Sequence, residues 1–137
     1  MLIDTGPLVA IFDKNDNYHS VCHDVLKTIK TPLITTTPVL TEAFYLLSFS
    51  WYIQDDLWDF IIQGNLQIYN FDRSLLKTCR ELMKKYQDLP MDLADASLVA
   101  VADAENIQQT IFTLDHKDFK VYKTKQKRHF KLLPSEL

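Results

Sequence analysis

Short apolar runs and helical stretches take turns along this chain, and that alternation restricts the folds open to it more than any other feature. Apolar runs of strand length fall at Met1–Asp4, Pro32–Thr36, Leu66–Phe71, Thr110–Leu114 and Phe130–Leu133. Between the first two, Val21, Cys22, Val25, Leu26 and Ile29 recur at helical spacing, which predicts a helix over 18–30 with Asp16/Asn17 at its start. Thr37-Pro38 sets a capping hydroxyl before a proline and opens a helix through about Ser50. A further helix over 53–63 ends at Gly64-Asn65, and Asp72 caps another that reaches about Gln87 before Pro90 breaks the chain. From Asp92 to about Ala104 the residues are apolar nearly all round, as in a buried helix. Thr5-Gly6-Pro7 reads as the turn that closes the first strand. Strands alternating with helices predict an α/β fold, its sheet mostly parallel and covered by helices on both faces.

Size and composition narrow the function classes. At 137 residues, with no linker, repeat or low-complexity stretch, the chain is expected to form a single domain over 1–137. Its only glycines, Gly6 and Gly64, exclude the glycine-rich loops that cradle nucleotide phosphates. No apolar run is long enough to span a membrane, and the acid at position 4 with no basic stretch before it does not read as a secretory signal. Cys22 and Cys79 stand far apart with no C-x-x-C, against a disulfide scaffold or zinc ribbon, so a reducing cytoplasm is the expected setting. The net charge of −3 is unevenly spread. Residues 113–137 carry seven Lys/Arg against three Asp/Glu, and 1–112 carry eight against fifteen. Lys117, Lys120 and Lys123 in the basic segment are candidate phosphate contacts; a lysine-rich edge strand on a solvated surface explains the same charges without a ligand.

Several acids stand where the pattern calls for something else. Asp4 and Asp115 follow apolar runs, at the strand ends where ligands gather in parallel sheets. Glu42 shares a helical face with Val39, Leu46 and Phe49, an apolar stripe, and capping does not account for it because the reciprocal position to Thr37 is Leu40. In Asp92-Leu93-Ala94-Asp95, Asp92 is explained as a helix cap, whereas Asp95 faces with Leu98, Val99 and Ala102 toward the buried side. No Lys or Arg lies between Lys85 and Lys117 to neutralise it locally. Like charges about 4 Å apart repel by about 4 kcal/mol at an effective dielectric of 20, so carboxylates converging on one rim need protons or a cation. For oxygen-only donors the matching ion is hard, Mg²⁺ or Mn²⁺, which also suits phosphodiester hydrolysis.

Four segments together carry a family likeness: Leu2-Ile3-Asp4-Thr5-Gly6-Pro7-Leu8, Thr37-Pro38-Val39-Leu40-Thr41-Glu42, Leu89-Pro90-Met91-Asp92-Leu93-Ala94-Asp95-Ala96 and Phe112-Thr113-Leu114-Asp115-His116-Lys117-Asp118-Phe119. In order and spacing the chain resembles the PIN-domain ribonucleases, and among them the VapC-type toxins of toxin–antitoxin pairs. The resemblance implies an α/β/α sandwich around a mostly parallel sheet of about four to five short strands. It also implies a metal-dependent endoribonuclease using one or two Mg²⁺ or Mn²⁺ ions. By position, Asp4, Glu42, Asp95 and Asp115 match the family's four acids, with Asp4, Asp95 and Asp115 as metal ligands. Thr113 matches its hydroxyl before the last acid, Asp118 matches an accessory acid, and Asp92 is the second acid of its motif. RNA as substrate, a homodimer and a cognate antitoxin covering the acidic site are further implications. A PIN-like module that binds RNA or protein without cutting, or a nuclease directed at DNA, would share these segments.

Other groupings are weaker. His19, Cys22 and His23 form H-x-x-C-H, but no partner motif supplies further zinc ligands, and a core cysteine beside surface histidines explains them. A phosphatase of the haloacid dehalogenase kind wants an acid two residues after the first, where this chain has Gly6. Trp51, Tyr52 and Trp58 read as core or subunit interface, or as stacking platforms for bases.

Overall fold

The computed structural model describes residues 1–105, 109–125 and 127–137. In chain order the elements are β1 (Leu2–Ile3), α1 (Thr5–Phe12), α2 (His19–Thr28), β2 (Leu33–Thr35), α3 (Thr37–Leu46), α4 (Trp51–Ile62), β3 (Leu66–Ile68), α5 (Arg73–Lys85), α6 (Leu93–Glu105), β4 (Thr110–Phe112), α7 (His116–Phe119) and β5 (Lys131–Leu133). All five strands are parallel, in the order β3-β2-β1-β4-β5. Leu2 and Ile3 of the central strand pair with Ile111 and Phe112, and all four are fully buried, as in a sheet covered on both faces. The strand order runs one way from β1 to β3 and back past β1 to β4, and the right-handed rule for parallel crossovers then puts α1–α4 on one face and α5–α6 on the other. The expected α/β/α sandwich is therefore present.

The strand order reverses at β1, whose neighbours β2 and β4 leave it by crossovers running in opposite directions. Outside the carboxyl ends of such strands a crevice opens, and Asp4 and the Thr113–Asp115 segment lie at that end of β1 and β4.

Several boundaries follow the expected chemistry. Asp72 accepts from the Leu75 N–H at 2.9 Å to cap α5, and Gly64, at φ +83°, supplies the left-handed residue after α4. Three expectations are corrected. Thr5-Gly6-Pro7 is the first turn of α1 and no mere turn: Asp4 accepts from the Thr5 N–H at 2.8 Å, and Pro7 sits in the first turn, where its missing N–H costs nothing. The helix expected to open at Pro38 behind a Thr37 cap begins at Thr37 itself, with Thr36 at the cap position and no side-chain cap bond, and it stops at Leu46; α4 starts at Trp51, so Phe49 lies between them. The apolar stripe of α3 is consequently Val39, Ala43 and Leu47, fully buried, whereas Leu46 and Phe49 are exposed. Phe44 stacking on Trp58, centroids 4.6 Å apart, pins the two helices together. Trp51, Tyr52 and Trp58 themselves are exposed, which removes them from the core.

Candidate active site

Asp4 is the most constrained acid of the chain. It follows the buried strand β1, caps α1 and is only 7% exposed. One carboxylate oxygen accepts from the Thr5 N–H, and the other accepts from the Thr113 hydroxyl at 2.8 Å. The Thr113 hydroxyl in turn accepts from the Asp115 N–H at 3.0 Å, so this one buried side chain fixes Asp4 and the start of α7 together. Burial pushes the Asp4 carboxyl up to about 6 against the opposing pull of these two hydrogen bonds, with Asp92 and Glu42 adding repulsion.

Asp95 lies in the first turn of α6 and is buried, as its position on the apolar side predicts. Asp92 is the cap of that turn, accepting from the Asp95 N–H at 2.8 Å, and stays exposed. The residue that holds Asp95 from across the fold is Tyr122, fully buried, whose hydroxyl donates to Oδ2 at 3.0 Å. Burial, with repulsion from Asp4, Asp92 and Asp115, pushes the Asp95 carboxyl up to about 8, and the Tyr122 bond only partly opposes this. The same surroundings raise the Tyr122 phenol, first by burial and then by the charge of Asp95.

Asp115 caps the short helix α7, accepting from the Asp118 N–H at 3.3 Å. Burial first, then the Asp115 charge, raises Asp118 above the ordinary carboxylate range. Asp95, Asp115 and Asp118 each place an oxygen so that all three lie within 4.8 Å of one another. Asp4 is outside this triplet, so the tightest grouping substitutes Asp118 for the Asp4 of the expected ligand set. Glu42 is half-buried at the border of the α3 stripe and accepts from the Thr5 hydroxyl at 2.8 Å. It reaches the same crevice through Thr5, one residue from Asp4, rather than by standing in the stripe.

No basic side chain meets these acids: the one ion pair within 4.0 Å among the described residues joins Lys27 to Asp24, on α2. Buried carboxylates without a counter-charge, beside further acids, make an oxygen donor set that fits a hard divalent cation. Lys117, Lys120 and Lys123 are exposed, on and just after α7 beside the acids. Thr36 and Ser97, hydroxyls 2.6 Å apart and buried, tie the start of α3 to α6 and fix the two walls relative to each other.

The other candidate grouping does not form a centre. Cys22 is buried, which pushes its thiol up to about 11, His23 is exposed, and His19 Nδ1 is engaged by the Ala10 carbonyl at 2.7 Å. Tyr122 is the member of the site that sequence reasoning missed. Its 27-residue separation from Asp95 leaves no local signal, and the segment around it shows no period.

Comparison with known proteins bears on the family and the fold. The sequence matches the PIN domain over residues 1–125. It is 26% identical over 136 residues to a protein named Ribonuclease VapC26 from Mycobacterium tuberculosis, covering 98% of this chain and 100% of that one. In fold it is similar to the crystal structure of M. tuberculosis VapC20, titled a Sarcin-Ricin loop cleaving toxin, with TM-score 0.76, 17% identity, and 85% and 92% of the two chains covered. It is also similar to a chain of a toxin-antitoxin complex from Klebsiella pneumoniae, with TM-score 0.65, 19% identity, and 86% and 88% covered. A third likeness is to VapBC2 from Rickettsia felis bound to a promoter DNA fragment, with TM-score 0.60, 20% identity, and 96% and 95% covered. With the match running from β1 through α7 and taking in every acid of the crevice, the chain belongs to the PIN domain family.

Proposed function

We propose that this protein is an endoribonuclease that hydrolyses RNA phosphodiester bonds with Mg²⁺ or Mn²⁺, and that it is the toxin of a toxin–antitoxin pair. The observation that carries the proposal is the pair of buried, cation-free carboxylates, Asp4 and Asp95, facing Asp115 and Asp118 at the sheet's switch point. Asp95, Asp115 and Asp118 would hold one ion, and Asp4 would complete its surroundings or share a second. When bound, the ion supplies activation of the attacking water and stabilisation of charge on the phosphate and the leaving oxygen.

The chain's own residues do the positioning. Tyr122 and Asp92 fix Asp95, Thr113 fixes Asp4 relative to Asp115, and Thr5 holds Glu42 at the rim, where it assists by orienting water. Lys117, Lys120 and Lys123 contact phosphates and offset the acidic body's repulsion of RNA. No side chain acts as a nucleophile. A cognate antitoxin and a second copy of the chain are the proposed protein partners; the exposed Tyr45, Phe49, Trp51 and Tyr52 on and between α3 and α4 support a face that is covered by protein.

The test is incubation with total cellular RNA in Mg²⁺ or Mn²⁺ and mapping of the new ends, with an EDTA control. Discrete cuts that disappear in EDTA are expected. RNA left intact under all conditions, or cuts indifferent to EDTA, would contradict the proposal, and equal cutting of single-stranded DNA would move it to a DNA-directed nuclease.

A further inference from the structure

The acidic crevice has two flanks of opposite character. On the β4 side, Lys117, Lys120 and Lys123 stand exposed on and just after α7. On the β2–β3 side a cavity of about 340 Å³ opens between the starts of α3 and α6 and Phe71, which lies between β3 and α5. Its apolar walls are within reach of a ligand: Leu93 is 40% exposed, Pro38 and Phe71 are half-buried, and Ala94 alone is closed off. Glu42 and Asp92 line the same cavity, and the charges of both act on Asp4. The cavity and the crevice therefore share a border, formed by these two side chains.

That border selects what can enter. Each acid spends one oxygen inside the protein, Glu42 on the Thr5 hydroxyl and Asp92 on the Asp95 N–H. Among the described residues neither pairs with a basic side chain within 4.0 Å. Two uncompensated carboxylates turn a phosphate away from the cavity and toward the lysines of the other flank. A purely apolar side chain would strip water from both carboxylates and return no hydrogen bond. A flat ring with N–H donors on its edge meets both requirements. Its faces lie on the Phe71 ring, Pro38 and Leu93, and its donors replace the water lost by Glu42 and Asp92. Nucleobases have that form, and unpaired RNA bases are held in this way, stacked on aromatic side chains and hydrogen-bonded along their edges.

We infer that this cavity takes one unpaired base of the RNA, beside the phosphate to be cut, and that it favours adenine, guanine and cytosine over uracil. The first three carry an exocyclic amino group that donates to a carboxylate. Uracil flanks its one N–H with carbonyls, which face the carboxylates unfavourably. The strand then crosses the crevice with this base on the α3–α6 flank and its phosphates on the α7 flank. The inference rests on the nuclease reading for the placement of the phosphate, and it deepens that reading by making Phe71 and Leu93 specificity-determining residues.

The test has one arm without cleavage and one with it. In EDTA, 2-aminopurine riboside, a fluorescent purine nucleoside with an amino group, is titrated with the full chain. Saturable quenching at millimolar concentration or below is expected, with adenosine displacing the probe about fivefold or more better than uridine. Phe71→Leu, which keeps an apolar side chain and removes the ring, should raise the half-quenching concentration about fivefold or more, as for the loss of one base–aromatic stack. Leu93→Asn, a change of similar size at an exposed position, should weaken quenching in the same direction, and it serves where Phe71→Leu alters the fold by circular dichroism. With metal, cut sites mapped in total cellular RNA should show uracil depleted at one position beside the cut. Both variants should flatten that position while EDTA still abolishes cutting. No quenching at millimolar nucleoside, quenching unchanged in both variants, or uridine competing as well as adenosine would overturn the inference. Cut sites of the same base composition in the wild type and both variants would overturn it too. N-acetylphenylalaninamide bound at Phe71 by NMR where the nucleoside is not would overturn it in favour of a protein side chain. RNA left uncut in metal, while quenching and its loss in the variants persist, would overturn the nuclease proposal and leave the base pocket standing.

Discussion

Asp4 both caps a helix and stands among the acids, so its replacement separates folding from chemistry. Asn in its place keeps an oxygen for the Thr5 N–H and removes the buried charge. Asp4→Asn is expected to melt no lower than the wild type at pH 8, by differential scanning fluorimetry, while metal-dependent RNA cleavage falls to the level of the EDTA control. Tyr122 makes a contrasting case, because its ring packs on Phe119 and Tyr86 while its hydroxyl serves Asp95. Tyr122→Phe should cost about 1–2 kcal/mol or less in stability, since packing survives. It should also raise the Mn²⁺ concentration needed for half of the thermal shift, because the ionised form of Asp95 loses a donor. An unchanged Mn²⁺ midpoint would show that the Tyr122 bond does not organise the site. These two residues also mark the limits of sequence reading. Asp4 was legible because an acid after an apolar run is an anomaly wherever it occurs. Tyr122 was not, because its partner is fixed by where the chain returns after α7.

Among the elements, α3 gives the sharpest test of the corrected register. Leu47 is fully buried and Leu46 about half exposed, though the two are adjacent. Leu47→Ala should cost about 2–5 kcal/mol in urea unfolding and Leu46→Ala about 0.5 kcal/mol or less. Equal costs would restore the stripe through Leu46. The strand–helix alternation and the caps at Asp72 and Asp92 were readable because each rests on residues within one turn of one another. Two features were not. Thr5-Gly6-Pro7 carries turn-forming residues, and only the Asp4 cap, together with the close approach of Gly6 to Leu114, makes it a helix start. A Cβ on Gly6 would meet Leu114 at 3.3 Å, a contact between segments far apart in sequence. The break before α4 depends likewise on Phe44 meeting Trp58, which no periodicity announces. Glu42 reached the site for a reason different from the one its sequence suggested: its bond to Thr5 crosses between helices.

For the molecule as a whole, the acids tie stability to pH and to metal. Asp4 and Asp95 have native pKa values, about 6 and about 8, above their ordinary value, so the metal-free fold holds protons that the unfolded chain releases. The stability this difference contributes is complete below the ordinary carboxylate pKa and is lost as pH rises through about 6 and then about 8. For Asp4 alone it is on the order of 3 kcal/mol. In EDTA the melting temperature should fall as pH rises across that window, and Mn²⁺ should restore it more at the alkaline end than at the acid end. A melting temperature that rises through the window without metal would contradict the burial of these two carboxyls. The parallel sheet places its switch point where Asp4 and Asp115 emerge, and α6 and α7 bring Asp95 and Asp118 to the same place. The most direct measurement is anomalous scattering from a crystal of the protein soaked in Mn²⁺. A strong peak in coordination contact with Asp95, Asp115 and Asp118, and absent from an Asp95→Asn crystal, is predicted; no peak there at saturating Mn²⁺ would contradict a shared divalent centre.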